Sequence, residues 1–102
     1  MRLYLAGPLF CQAEREFNEK LASVLRAEGH TVFLPQEFMP SDGVYDETFL
    51  MGAYAKDLEE IDDAEAFVII LDGRVPDEGA CLELGYALAK GKDLYGLKTD
   101  VR

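Results

Sequence analysis

The sequence predicts a doubly wound α/β domain, and three observations carry that reading. Short apolar runs alternate with stretches of helical length in the order β-α-β-α-β-α-β. Glycine and proline punctuate the joins, at Gly7-Pro8, Gly29, Pro35 and Gly91. The run Ala66-Phe67-Val68-Ile69-Ile70-Leu71 is apolar without a break, as a strand covered on both faces must be.

Taken in order, Arg2 to Ala6 reads as a short strand. An amphipathic helix from about Gln12 to Glu28 places Phe17, Leu21, Val24 and Leu25 on one face and stops at Gly29. His30 to Leu34 is a second strand, closed by Pro35. Gln36 to Asp46 is expected to be a loop broken by Pro40, Asp42 and Gly43, carrying Phe38 and Met39. A second helix spans roughly Asp46 to Asp63, with Leu58 and Ile61 continuing its apolar face. Strand three is 66–71, helix three about 78–90, and Asp93 to Leu97 a fourth strand. Right-handed crossovers then require a parallel sheet with helices on both faces, for which we expect the flavodoxin-like order 2-1-3-4. A fifth strand, not among these residues, would complete the usual sheet.

The totals narrow the function classes. The 102 residues suit one domain, taken here as 1–102, and 49% hydrophobic with 29% charged residues is ordinary for a soluble globular chain. Ten basic against twenty acidic residues leave a formal charge of −10, which repels polyanions. Nucleic-acid and membrane partners are therefore not expected. Cys11 and Cys81 fall in segments read as buried and form no disulfide framework or C-x-x-C site. No apolar run reaches the ~18–20 residues of a membrane span, and the first residues pass straight into a strand without a signal peptide. A cytoplasmic location is the expectation.

The chemistry concentrates around Asp72 to Lys92. In a 2-1-3-4 sheet, the carboxyl ends of strands 1 and 3 form the crevice where such folds bind ligands. Tyr4, Asp57, Asp72, Asp77, Glu78 and Glu83 are the polar groups that can reach it. Most have a structural explanation as well. Asp77 after Pro76 is a good helix N-cap, and Glu78 suits the positive end of the helix dipole. Asp57 belongs to an acidic run, 57–63, that composition alone reads as solvated, and Tyr4 in a strand reads as core. Glu83 is harder to dismiss. It is the lone charge in an apolar helix, flanked on its own face by Gly79, Ala80, Tyr86 and Ala87, and desolvating an unpaired carboxylate costs several kcal/mol. A partner such as Arg15 or Lys92 is the structural alternative.

Other chemistries lack parts. His30 is the sole histidine, no phosphate-binding glycine motif is present, and Asp72, Asp77 and Glu78 show no fixed metal-ligand spacing. No metal and no cofactor are expected. What remains is carboxylate chemistry in an apolar cleft, whose natural form is attack at an anomeric carbon.

The segments Tyr4-Leu5-Ala6-Gly7-Pro8-Leu9-Phe10, Ala55-Lys56-Asp57-Leu58, 77–87 and 91–102 together resemble the nucleoside 2-deoxyribosyltransferase family over almost the whole chain. The resemblance implies deoxyribonucleoside and nucleobase substrates. It implies Glu83 as the nucleophile at C1′, Asp57 as the group that protonates the base, and Tyr4 as the residue that positions Glu83. Asp77 would hold the sugar at its 5′ side, with Gly7, Phe10 and Gly79 lining the pocket. Two alternatives accompany it: a 2′-deoxynucleoside 5′-phosphate N-hydrolase and a non-catalytic nucleoside-binding domain. The hydrolases resemble one another in a serine where this chain has Asp77, and a carboxylate there repels phosphate, although Arg15 and Arg74 could offset it. Family members continue past the equivalent of Arg102 and lend C-terminal residues to a neighbour's site. A homodimer or larger homo-oligomer, assembled through the second and third helices, is the corresponding expectation.

Overall fold

A computed structural model describes residues 1–40 and 46–101. The elements are β1 (Arg2–Ala6), α1 (Gln12–Ala27), β2 (Thr31–Phe33), a 3-10 turn (Pro35–Phe38), α2 (Glu47–Asp63), β3 (Ala66–Ile70), α3 (Glu78–Ala89) and β4 (Asp93–Leu97). The four strands form one sheet in the order β2-β1-β3-β4, and every pairing is parallel. Both the fold class and the strand order are those expected from the sequence.

The period-2 geometry of a strand sorts the core into two layers. Leu3 and Leu5 of β1, Val32 of β2 and Ala66 and Ile70 of β3 face one side, where Ala22, Leu21 and Leu25 of α1 cover them. Tyr4 and Ala6 of β1 and Phe67 and Ile69 of β3 face the other side, where Ile61 of α2 and Ala80 and Ala87 of α3 pack. Thus α1 covers one face, and α2 and α3 cover the other. The parallel register sets Tyr4 between Phe33 and Phe67. Their rings stack at centroid distances of 5.4 Å on either side.

Helix ends follow their local chemistry. Asp46 caps α2 by accepting from Phe49 N at 2.7 Å, and Asp77 caps α3 by accepting from Ala80 N at 2.9 Å. Gly29 and Gly91 follow the last turns of α1 and α3 with φ of 97° and 74°, a conformation that only glycine adopts cheaply.

Three expectations are corrected. Pro35–Phe38 is a 3-10 turn rather than plain loop, because Pro35 presets φ at its first position; residues 41–45 of that predicted loop lie outside the described residues. Helix α3, apolar nearly all round, fully buries only Ala80 and Ala87, while Leu82 and Leu88 are 59% and 65% exposed. Only one of its faces meets the sheet. For the same reason Cys81 is exposed, and so is Cys11, which sits outside α1 at its N-cap. Among the described residues, no helix is long and apolar enough to cross a membrane.

Candidate active site

At the carboxyl end of β1 and β3 the chain forms a cleft of about 470 Å³. Its walls come from the loop after β1 (Gly7, Leu9, Phe10), the 3-10 turn (Pro35, Phe38), α2 (Leu50, Ala53, Tyr54, Asp57) and the start of α3 (Asp77, Gly79, Glu83). Gly7 suits a close approach: a Cβ there would lie 3.0 Å from Ile70 Cδ1 and 3.1 Å from Ile70 Cβ, so Ile70 would have to shift.

Three polar side chains meet at the floor. Tyr4, fully buried in the sheet, donates its hydroxyl to Glu83 Oε2 at 2.7 Å. Glu83, in the second turn of α3, lies within hydrogen-bonding reach of the Asp57 carboxyl on α2. Burial, the Asp57 charge and hydrogen bond, and the more distant Asp77 push Glu83 up to about 7, against the Tyr4 hydrogen bond, which pulls it down. Burial raises Asp57 to about 6, partly offset by its hydrogen bond with Glu83. These values belong to the pair rather than to either carboxyl, so near neutrality the two hold about one proton between them. Tyr4 itself is pushed far above the usual phenol range, by burial first and then by the Glu83 and Asp57 charges. Its hydroxyl therefore stays a donor.

The arrangement can do definite chemistry. It offers two carboxyls that share a proton, one of them bonded to a phenol, at the floor of a largely apolar cleft.

The cleft brings together Tyr4, Gly7, Phe10, Asp57, Asp77, Gly79 and Glu83, all named from the sequence. Asp77 has a double role, since its Oδ2 caps α3 while the residue lines the cleft. Asp57, read from composition as solvated, is partly buried here because α2 turns it toward α3. Asp72 and Glu78 are not in the cleft. They line a neighbouring hollow with Arg74, and Asp72 accepts from the Thr99 and Asp100 backbone amides at 2.5 and 3.0 Å. The suggested structural partners of Glu83 are occupied elsewhere: Arg15 donates to Leu9 O and Lys92 to Asp62 O. Among the described residues, no group of three ligating side chains is placed to hold a metal ion.

Sequence reasoning missed Lys56. It lines the cleft with its ammonium 5.8 Å from the Phe38 ring and 5.9 Å from the Phe33 ring, and 2.9 Å from Glu60 Oε1. The i,i+4 spacing to Glu60 was readable; the aromatic contacts depend on how β2 and α2 meet.

Fold and site together define a parallel α/β domain whose switch-point crevice holds a half-buried carboxyl pair. The chain belongs to the nucleoside 2-deoxyribosyltransferase family, whose model matches residues 3–102. Its structure is similar to that of a 2-deoxyribosyltransferase from the psychrotolerant bacterium Bacillus psychrosaccharolyticus, with a TM-score of 0.88 and 28% identity over 100% of this chain and 77% of that one. A conserved protein from Enterococcus faecalis V583 matches at 0.80 and 30% identity over 98% of this chain and 64% of its own length. A 2-desoxiribosyltransferase from Leishmania mexicana matches at 0.77 and 24% identity, over 99% and 66%, and supports the fold alone. No curated protein sequence matches the chain significantly.

Proposed function

We propose that this protein cleaves the N-glycosidic bond of 2′-deoxyribonucleosides and transfers the deoxyribosyl group to a second base. The observation that carries the reading is the Tyr4–Glu83–Asp57 constellation at the floor of an apolar cleft. Glu83 Oε attacks C1′, the C1′–N bond breaks, and its electron pair goes to the base nitrogen. Asp57 delivers the proton that the leaving base requires, so the base departs neutral and a deoxyribosyl ester of Glu83 remains. A second base then attacks C1′, returns its proton to Asp57 and frees Glu83. Water in place of that base gives hydrolysis. Tyr4 steadies the ionised Glu83 before attack and after release, Asp77 holds the 5′ side of the sugar, and Gly7, Phe10 and Gly79 line the pocket.

The test is chromatography of deoxyadenosine incubated with the protein, with and without cytosine, beside Glu83→Ala. Deoxycytidine should appear only with cytosine and only when Glu83 is present. A mass adduct on Glu83 after denaturing quench separates an enzyme from a binding domain. Adenine and deoxyribose without new nucleoside mark a hydrolase.

The 5′-monophosphate reading is weaker. Asp77 lines the cleft, where Lys56 is already paired with Glu60, and Arg74 in its own loop shares the adjoining hollow with Glu14, Asp72, Asp77 and Glu78. Four carboxylates against one guanidinium disfavour a phosphate there.

Assembly follows the same reasoning. Leu50, Met51, Tyr54, Leu82 and Leu88 on α2 and α3 are each at least half exposed and apolar, which suits a homodimer formed through these helices. Light scattering across a concentration series reads the mass; a monomer at all concentrations overturns this.

A further inference from the structure

Helix α1 sends no side chain into the cleft, yet it holds two of the segments that wall it. Asn18 is the only buried polar residue among the described residues, 3% exposed. Its Nδ2 donates to Pro8 O and to Gln36 Oε1, both at 2.9 Å. A main-chain carbonyl can only accept, so the contact with Pro8 fixes which way the amide points. Both of its hydrogens are then spent, one on each wall segment. Gln36 in turn donates to Arg15 O at 2.9 Å. The rest of α1's first turns complete the clamp. Arg15 donates to Leu9 O at 3.3 Å, and Glu14 Oε1 accepts from Phe10 N and Cys11 N at 2.9 and 3.1 Å. The Glu14 and Arg15 contacts are exposed and individually weak, whereas the Asn18 amide is sheltered from competing water.

We propose that Asn18 is a positioning residue that sets the spacing between the Gly7–Phe10 loop and the 35–39 segment, and through it the affinity and size selectivity of the cleft for nucleobases. The inference rests on the functional reading above for the identity of the ligand, and on hydrogen bonds alone for the coupling of the two walls. Asn18 lies on the opposite side of the sheet from Tyr4 and Glu83, so its loss should leave the reacting groups in place.

The test uses the full chain with Asn18→Leu, which keeps the volume and removes both donors, Asn18→Asp, which keeps the shape and cannot donate, and Gln36→Leu, which cuts one branch. KM and kcat are measured for deoxyadenosine and deoxycytidine as donors, and amide hydrogen exchange is followed at Phe10, Cys11, Glu37 and Met39. Both Asn18 variants should raise KM about tenfold with kcat within about twofold. The purine-to-pyrimidine ratio of kcat/KM should move toward one. Exchange should quicken in both segments together for Asn18 variants, but only at Glu37 and Met39 for Gln36→Leu. A fall in kcat at constant KM, an unchanged base ratio, or exchange that responds in one segment alone overturns the proposal. If the wild-type protein neither converts nor binds nucleosides, the functional reading and the selectivity fail together, and exchange still decides whether Asn18 couples the walls.

Discussion

The Tyr4 hydroxyl donates to Glu83 Oε2 at 2.7 Å across 79 positions of sequence, from the centre of the sheet to the second turn of α3. The bond holds because Tyr4 cannot move: its ring is clamped between Phe33 and Phe67. A buried carboxyl is thereby given one fixed donor on the sheet side and one proton-sharing neighbour on the helix side. In the proposed mechanism the ionised form of Glu83 attacks while the proton sits on Asp57, although burial and the Asp57 charge favour the proton on Glu83 at rest.

Tyr4→Phe keeps the ring stack and removes the donor. The hydrogen bond pulls Glu83 down, so its loss raises the pair further, and the ionised nucleophile appears only at higher pH. We expect kcat to fall roughly 10–100-fold, the equivalent of one hydrogen bond to a charged group. The acid limb of the pH–rate profile should shift upward. A uniform loss at every pH would mean that Tyr4 does not act through Glu83.

The raised carboxyls also make a stability prediction whose sign is unusual for acids. Asp57 rises from 3.8 to about 6 and Glu83 from 4.5 to about 7 on folding. Between those limits the folded protein binds protons that the unfolded chain has released, so stability falls as pH rises through about 4 to 7. Asp57→Asn removes the strain of holding two carboxyls together. It should stabilise the protein by about 1 kcal/mol at pH 8, roughly 5 °C in Tm, and by much less at pH 4. Thermal melts at the two pH values check this; equal effects at both would exclude the shared proton.

Much of this was legible before folding, and for identifiable reasons. Alternation of Leu3 and Leu5 with Tyr4 and Ala6 encodes a two-faced strand, and Gly29 and Gly91 mark helix stops. Glu83 stood out because a single charge in an apolar helix demands an explanation. Asp57 did not, since nothing within the acidic run 57–63 distinguishes the residue that α2 turns inward. The exposure of Cys81, Leu82 and Leu88 was equally hidden: hydrophobicity marks a side chain as buriable without saying which face meets the sheet. Asn18 looked like any polar helix residue, and only the approach of Pro8 and Gln36 gives it work.

Gly7→Ala tests how tightly the cleft is built onto the sheet. The added methyl would sit 3.0 Å from Ile70 Cδ1 and 3.1 Å from its Cβ, tight enough that Ile70 must give way by a few tenths of an ångström, and should cost about 1–3 kcal/mol. Adding Ile70→Val removes Cδ1 but leaves Cβ in the way. Denaturant melts should therefore show only partial recovery in the double variant. Full recovery would place the clash at Cδ1 alone.

The loop between β3 and α3 carries Asp77, and its other end is tied to the chain beyond β4. Asp72 accepts from the Thr99 amide and hydroxyl and from Asp100 N, while Asp100 Oδ2 accepts from Gly73 N at 2.7 Å. These reciprocal bonds hold Asp72 below the usual carboxylate range, with the Thr99 hydroxyl and amide as the main causes. A depressed pKa stabilises the fold above the unfolded value, and that contribution is lost as pH falls through the folded one. Asp72→Ala should therefore quicken exchange of the Gly73 and Thr99 amides at neutral pH and make little difference in strong acid, where the wild-type carboxyl is already protonated. If the bonds also steady Asp77, KM for nucleoside should rise several-fold in this variant while kcat changes little, because Glu83 and Asp57 are held by other elements. Unchanged exchange at Gly73 would show that the loop holds its shape without the tie.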